Sequence, residues 1–304
     1  RVLVNESVWR RHALLVTLSH TIRKNTSYFS HLPKVAIQFS EKRAVAEGYH
    51  PIYCEHGWLP RDEYQISSTG VNQRHHVAAI LAEGPREFTE AELAADQSRI
   101  NYLRAQFGET RTPAGYDETP FFVFSLQTTN DLNLHRSGLE IARMADKKGI
   151  ENEFKEALSK MMSDAAPGVR MIFLQHPAES VDTLPKLYPG HEYIPHSRNI
   201  RTLDLARSAA CQGVITINSN AMNEALLFGK PVFQLGDFLT EAFPNPHFPY
   251  TIEQFLRNPV ECGALAKRDS YLGTLFRNQR SIQQMTDPSV VREMIETEVS
   301  RVIR

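Results

Sequence analysis

The sequence predicts an α/β protein built on parallel sheet, and three observations predict it. Short apolar runs alternate with helical periodicity through the second half of the chain. Several of those runs end in polar loops that carry acids, carboxamides and histidines, and Gly or Pro closes the helical segments. Strands that alternate with helices pair in parallel through right-handed crossovers. In such an open sheet ligands gather at the carboxyl ends of the strands, so residues there are candidates for chemistry rather than packing.

Residues 7–24 place Val8, Leu15, Leu18 and Ile22 at helical spacing behind the cap candidates Asn5 and Ser7, which predicts an amphipathic helix. Residues 35–39 read as a buried strand, 41–47 as a helix stopped by Gly48, and 52–54 as a second strand, a β-α-β unit that ends at Glu55. Thr89 and Glu92 form a capping box and predict a helix over 90–107, closed by Gly108. The stretch 108–119 is rich in Gly, Pro and Thr and lacks apolar periodicity, so it reads as a linker. The expected domains are therefore 1–115 and 116–286, with 287–304 a C-terminal helix returning to brace the first. In the second domain strands are predicted at 121–126, 170–174, 214–217 and 232–235, with helices over 137–162, 202–210 and 221–228 and helical structure from Thr251 onward.

With 304 residues, 41% hydrophobic and 23% charged, the chain suits an ordinary globular protein of about two domains. Its 34 Lys and Arg against 35 Asp and Glu leave a net charge of −1, which speaks against a nucleic-acid partner. Cys54, Cys211 and Cys262 are far apart and form no C-x-x-C pair, which suggests neither a disulfide framework nor a zinc knuckle and fits a reducing cytoplasm. The apolar stretches fall short of the roughly 20 residues of a membrane helix. His75, His76 and His135 lack metal-cage spacing, so no bound metal is expected. The dinucleotide-binding glycine pattern, the P-loop and the Gly-x-Ser-x-Gly elbow are all absent.

Four segments carry candidate chemistry. Residues 213–224 run a buried strand into Asn218, Ser219 and Asn220 and a short helix, whose N-terminal N–H groups can hold a phosphate while Glu224 accepts from ribose hydroxyls. The plainer reading is a Ser219 or Asn220 cap with Glu224 on the helix dipole. Gln175-His176-Pro177 ends the strand before it, and Pro177 holds the imidazole at the sheet edge, where it can donate to a phosphate oxygen; the alternative is a turn histidine. Asp131 follows the strand 121–126 among Gln127, Asn130 and Asn133, placed as a nucleophile or base or simply as an Asx turn. Glu55-His56-Gly57-Trp58 joins an acid, an imidazole and an aromatic face suited to a sugar; otherwise Trp58 is a buried anchor and Glu55 pairs with Arg61.

In this order the motifs resemble the bacterial retaining β-Kdo glycosyltransferase domains of O-antigen and capsule assembly. The likeness rests on 54–61 with Tyr64-Gln65-Ile66-Ser67 and Gly70-Val71-Asn72, on Leu126-Gln127 with Asp131, on His176-Pro177, and on Asn218-Ser219 with Glu224. It implies a GT-B-like fold, two Rossmann-type domains facing across a cleft, with CMP held mainly by the C-terminal one. It further implies that His176 and the Ser219 helix meet the CMP phosphate, that Gln127, Gln175, Asn218 and Asn220 line the nucleotide site with Glu224 near the nucleoside, that Trp58 and Asn133 touch the sugar substrates, and that Asp131 is the nucleophile. Glu55 is then the candidate base for the acceptor hydroxyl with His56 in reserve, and Arg61 or Arg198 the candidate for the Kdo carboxylate. The donor would be CMP-Kdo, with no further cofactor, and the acceptor a lipid-linked or oligosaccharide glycan. A chain that begins at Arg1 fits one domain of a larger glycan-assembly protein, cytoplasmic or peripheral at the inner membrane. The competing expectations are an inverting transferase of the CMP-sialic-acid type and a non-catalytic glycan-binding module.

Overall fold

The computed structural model describes residues 2–4, 13–39, 47–70, 75–82, 88–108, 112–128, 151–179, 189–236, 251–262 and 268–303. Among these, the strands are β1 (Val2–Val4), β2 (Val35–Phe39), β3 (His50–His56), β4 (Tyr64–Ser67), β5 (Phe121–Ser125), β6 (Met171–Leu174), β7 (His191–Ile194), β8 (Cys211–Thr216), β9 (Val232–Gln234) and β10 (Gln279–Arg280). The chain divides into two compact units, Arg1–Glu83 with Gly273–Arg304, and Gly84–Leu272. The helix Glu90–Gly108 falls in the second unit, although its sequence precedes the linker-like stretch. Tertiary bonds tie it there: Arg104 Nε donates to the Leu227 carbonyl at 2.5 Å, and Arg207 Nη2 donates to the Gly108 carbonyl at 2.7 Å. The capping box is formed as the sequence predicts, Thr89 N donating to Glu92 Oε2 at 2.9 Å and Glu92 N to Thr89 Oγ1 at 3.2 Å.

In the first unit the sheet order is β1-β2-β3-β4-β10. The three leading strands are parallel, whereas β4 runs antiparallel to β3 and β10 antiparallel to β4, so this sheet is mixed rather than Rossmann-type. Connection length explains the reversal, because 57–63 is too short for the crossover a parallel neighbour needs. One face presents Ile37, Ile52, Cys54 and Ile66 to Leu14 and Leu18 of the helix Ala13–Lys24 and to Val291, Ile295 and Val299 of the helix Pro288–Ile303. By the two-residue alternation of strands, the opposite face carries Gln38, Tyr53, Glu55, Gln65 and Ser67. Gln279 pins the 57–63 loop, taking a hydrogen bond from Leu59 N at 2.9 Å and donating to the Leu59 carbonyl at 2.7 Å. The helix expected at 41–47 and most of the one expected at 137–162 lie outside the described residues.

The second unit carries a fully parallel sheet, order β7-β6-β5-β8-β9. Counted from β5 this is the doubly wound order 3-2-1-4-5, and it reverses between β5 and β8, the place where ligands settle in such folds. Phe122, Phe124, Ile215 and Phe233 pack one face against Phe154, Leu158 and Met162 of the helix Glu151–Ala165 and Phe255 of Ile252–Arg257. The helices Thr202–Ala206 and Ala221–Leu227 lie against β5, β8 and β9. Among the described residues no helix is long and apolar enough to cross a membrane.

Candidate functional site

The reversal point of the second sheet is bridged by two side chains. Gln127, just past β5, donates through Nε2 to Asn218 Oδ1 at 2.7 Å and accepts from Asn218 N at 2.9 Å, just past β8. Both residues are buried. The sequence reading has them bind the nucleotide; in the structure their amides spend these bonds on each other and hold the two loops in register. Thr216 Oγ1 accepts from Ser219 N at 3.0 Å, and Ser219 Oγ accepts from Ala221 N at 3.3 Å, with Ser219 one residue ahead of the N-cap Asn220. Asn220 Oδ1 accepts from Asn223 Nδ2 at 3.2 Å. Glu224 sits partly exposed in the first turn of Ala221–Leu227. The Arg201 guanidinium is pushed up chiefly by its hydrogen bonds to Asp204, against burial, and further by the charges of Asp204 and Glu224.

His176 stands at the carboxyl end of β6, half-buried, in a turn closed by Glu179 N donating to its carbonyl at 3.1 Å. Ala178 N donates to His176 Nδ1 at 3.1 Å. Gln175 is buried and works inside the protein, taking a bond from His196 N at 2.7 Å and giving one to Glu179 Oε2 at 2.9 Å, where the sequence reading has it touch nucleotide. Strand spacing of about 4.8 Å puts the ends of β6 and β8, on either side of β5, roughly 10 Å apart. That span suits a phosphate-bearing ligand laid across β5. Asp131, Asn130 and Asn133 lie outside the described residues.

Arg198 has an ion-pair partner within the second unit. Its guanidinium lies 3.7 Å from Glu192, which also pairs with Arg170 at 3.1 Å and accepts from the Tyr116 hydroxyl. Arg170 precedes β6 and Tyr116 precedes β5, so Glu192 and these partners sit toward the amino ends of the strands, and the half-exposed Arg198 side chain reaches back to them from beyond β7.

In the first unit, Glu55 Oε1 accepts from His56 N at 3.0 Å. The two side chains leave opposite faces of β3, so His56 cannot stand in for Glu55 at the same spot. The His56 ring packs edge-on to Phe39 and stacks on Tyr64, and its Nδ1–H donates to the Arg61 carbonyl at 3.1 Å. Burial, then the Arg61 charge, pushes its pKa down against that hydrogen bond. The Arg61 side chain is exposed. Trp58 is 0% exposed and meets His75 edge to face, which matches the buried-anchor alternative and leaves its ring no open face in this packing.

Sequence reasoning missed Gln234, the last residue of β9. It is 2% exposed and neither its amide nitrogen nor its oxygen has a hydrogen-bond partner among the described residues. It aligns with Thr216 of β8 and Ser125 of β5, whose hydroxyl pairs with Thr202 at 2.7 Å. A lone Gln in an apolar strand gives no sequence signal beyond its position. Among the described residues no group of three or more His, Cys, Asp or Glu is arranged to hold a metal.

Fold and topology together define a two-unit α/β protein whose second unit is a doubly wound parallel sheet. No family model matches the chain, and no curated protein sequence matches it. Solved structures do. Thermosulfurimonas dismutans KpsC, beta Kdo 2,7 transferase, superposes with a TM-score of 0.56 at 15% identity, over 98% of this chain and 99% of that one. The beta Kdo 2,4 transferase of the same KpsC gives 0.54 at 14% identity over 86% of each chain. At these identities the likeness is one of fold.

Proposed function

We propose that this chain is a glycosyltransferase of GT-B type that moves Kdo from CMP-Kdo to a hydroxyl of a glycan acceptor with retention. The observation that carries the reading is the second unit's ligand edge, where His176 and Ser219 flank β5 at the reversal point, in a fold shared along nearly the whole chain with a beta Kdo transferase. In this reading CMP lies along that edge. The Nε2–H of His176 donates to a phosphate oxygen as charge grows on it, and Glu224 takes a ribose hydroxyl. The Asp131 carboxylate adds to the ketosidic carbon; the bond from that carbon to the phosphate oxygen breaks, and CMP leaves with the electron pair. The acceptor hydroxyl then attacks the same carbon from the opposite side, its proton passes to a general base, for which Glu55 is our candidate, and Asp131 departs. Two inversions give net retention.

Intact-mass measurement after incubation with CMP-Kdo tests the chemistry. An adduct of one Kdo is expected on the wild type or on Glu55→Gln, absent from Asp131→Ala, and CMP should appear in solution. Full transfer by Asp131→Ala with no adduct in any variant would remove Asp131 from its role. Absence of CMP release with every acceptor tried would remove the transferase reading itself.

A further inference from the structure

We propose that Lys155 and Glu179 are positioning residues for His176, clamping its turn so that the imidazole presents Nε2–H to the ligand edge. The inference rests on the reading of His176 as the group that meets the departing phosphate. An amide N–H can only donate, so the bond from Ala178 N requires a lone pair on Nδ1, and the proton of the neutral ring then sits on Nε2. The turn that makes this bond is exposed at Pro177 and Ala178 and would hold loosely by itself.

One carboxylate oxygen ties it down. Glu179 Oε2 receives Lys155 Nζ at 2.6 Å and Gln175 Nε2 at 2.9 Å, joining the residue before the turn to the residue that ends it, and both to the helix Glu151–Ala165. Gln175 Oε1 extends the tie to His196 N, beyond β7, at 2.7 Å. The pair is withdrawn from solvent, with the Lys155 side chain 3% and that of Glu179 14% exposed, unlike the exposed Lys160–Asp164 pair on the same helix. A buried ion pair is commonly no more stabilising than apolar side chains of equal volume. What apolar side chains cannot supply is direction, and here the direction is imposed on the turn that orients His176.

The test uses the full chain with 15N-labelled histidine, the His176 signals being assigned from their loss in His176→Gln. Wild type should show a proton-bearing Nε2 and an unprotonated Nδ1. In Lys155→Met/Glu179→Met both shifts should move toward the tautomer average, with CMP release from CMP-Kdo lowered about tenfold to a hundredfold in kcat and little change in KM, as when an outer orienting partner is removed. Lys155→Met/Glu179→Gln, which keeps the bond to Gln175, should lose less; it also decides the matter should the first variant fail to fold. Unchanged His176 shifts in a folded double variant overturn the proposal, as does a fall in melting midpoint with the tautomer intact. A wild type that releases no CMP, yet whose His176 shifts respond, keeps the clamp and sinks the transferase reading.

Discussion

Gln127→Met is the sharpest test of the carboxamide bridge at the reversal point. The substitution keeps the volume and removes both bonds, leaving the Asn218 N–H and Oδ1 buried without those partners. Each buried polar group so stranded costs about 1–3 kcal/mol, and relaxation of the loop recovers part of it, so a loss of about 2–4 kcal/mol is expected in the local opening free energy. Since about 1.4 kcal/mol is tenfold, amide hydrogen exchange at Asn218 and Ser219 should quicken by about 30- to 1000-fold, while Val123 in the centre of β5 changes far less. Gln234→Met is the matched control on the same edge. Its amide bonds to nothing among the described residues, so the change should leave protection equal or raised by about 1–2 kcal/mol. Exchange at Asn218 within threefold of wild type in Gln127→Met, or equal losses in both variants, would refute the reasoning.

Two further changes probe the first unit, where the buried Trp58 gives indole fluorescence a reporter. Gly57→Ala would set its Cβ 2.6 Å from the Pro60 carbonyl oxygen and 2.9 Å from the Glu63 backbone, and a loss of about 1–3 kcal/mol by fluorescence-detected unfolding is expected for such overpacking. Burial, then the Arg301 charge, pushes His76 down to about 4 despite its bond to Asn278. A folded pKa below the unfolded 6.5 means the unfolded chain binds more protons between those values, so stability falls on acidification from about pH 6.5 to 4, by at most about 3 kcal/mol. The buried Glu298 carboxyl, pushed up, acts in the opposite sense. His76→Gln should therefore flatten the acid limb of a plot of melting midpoint against pH.

The elements most legible in the sequence are those whose apolar runs are buried on both faces. The runs at β5 and β6 are nearly unbroken hydrophobics, β8 carries Val214 and Ile215 in its buried part, and the parallel second sheet follows from them. By contrast β4 is four residues whose polar members Gln65 and Ser67 are as buried as Tyr64 and Ile66, and β7 opens on His191 and Glu192, so neither shows the apolar run that marks β5 and β6. The capping box of Thr89 is local chemistry and could be read directly. The candidate site was harder, because its settled features are pairings between distant residues. Nothing near Gln127 announces Asn218, 91 positions away. Trp58 beside Gly57 and His56 has the composition of a sugar platform, and only the packing around it decides otherwise.

The division of the chain also sets an order of assembly. The first unit needs β10 and the helix Pro288–Ile303, which follow the whole of Gly84–Leu272 in sequence. As the chain leaves the ribosome at about 5–20 residues per second, roughly 190 residues intervene, so the core of Leu14, Ile37 and Ile52 stays open for about 10–40 seconds. The second unit is contiguous and can close during that interval. The half of the protein that begins first is thus the half that finishes last, and it is the one with most need of a chaperone during synthesis.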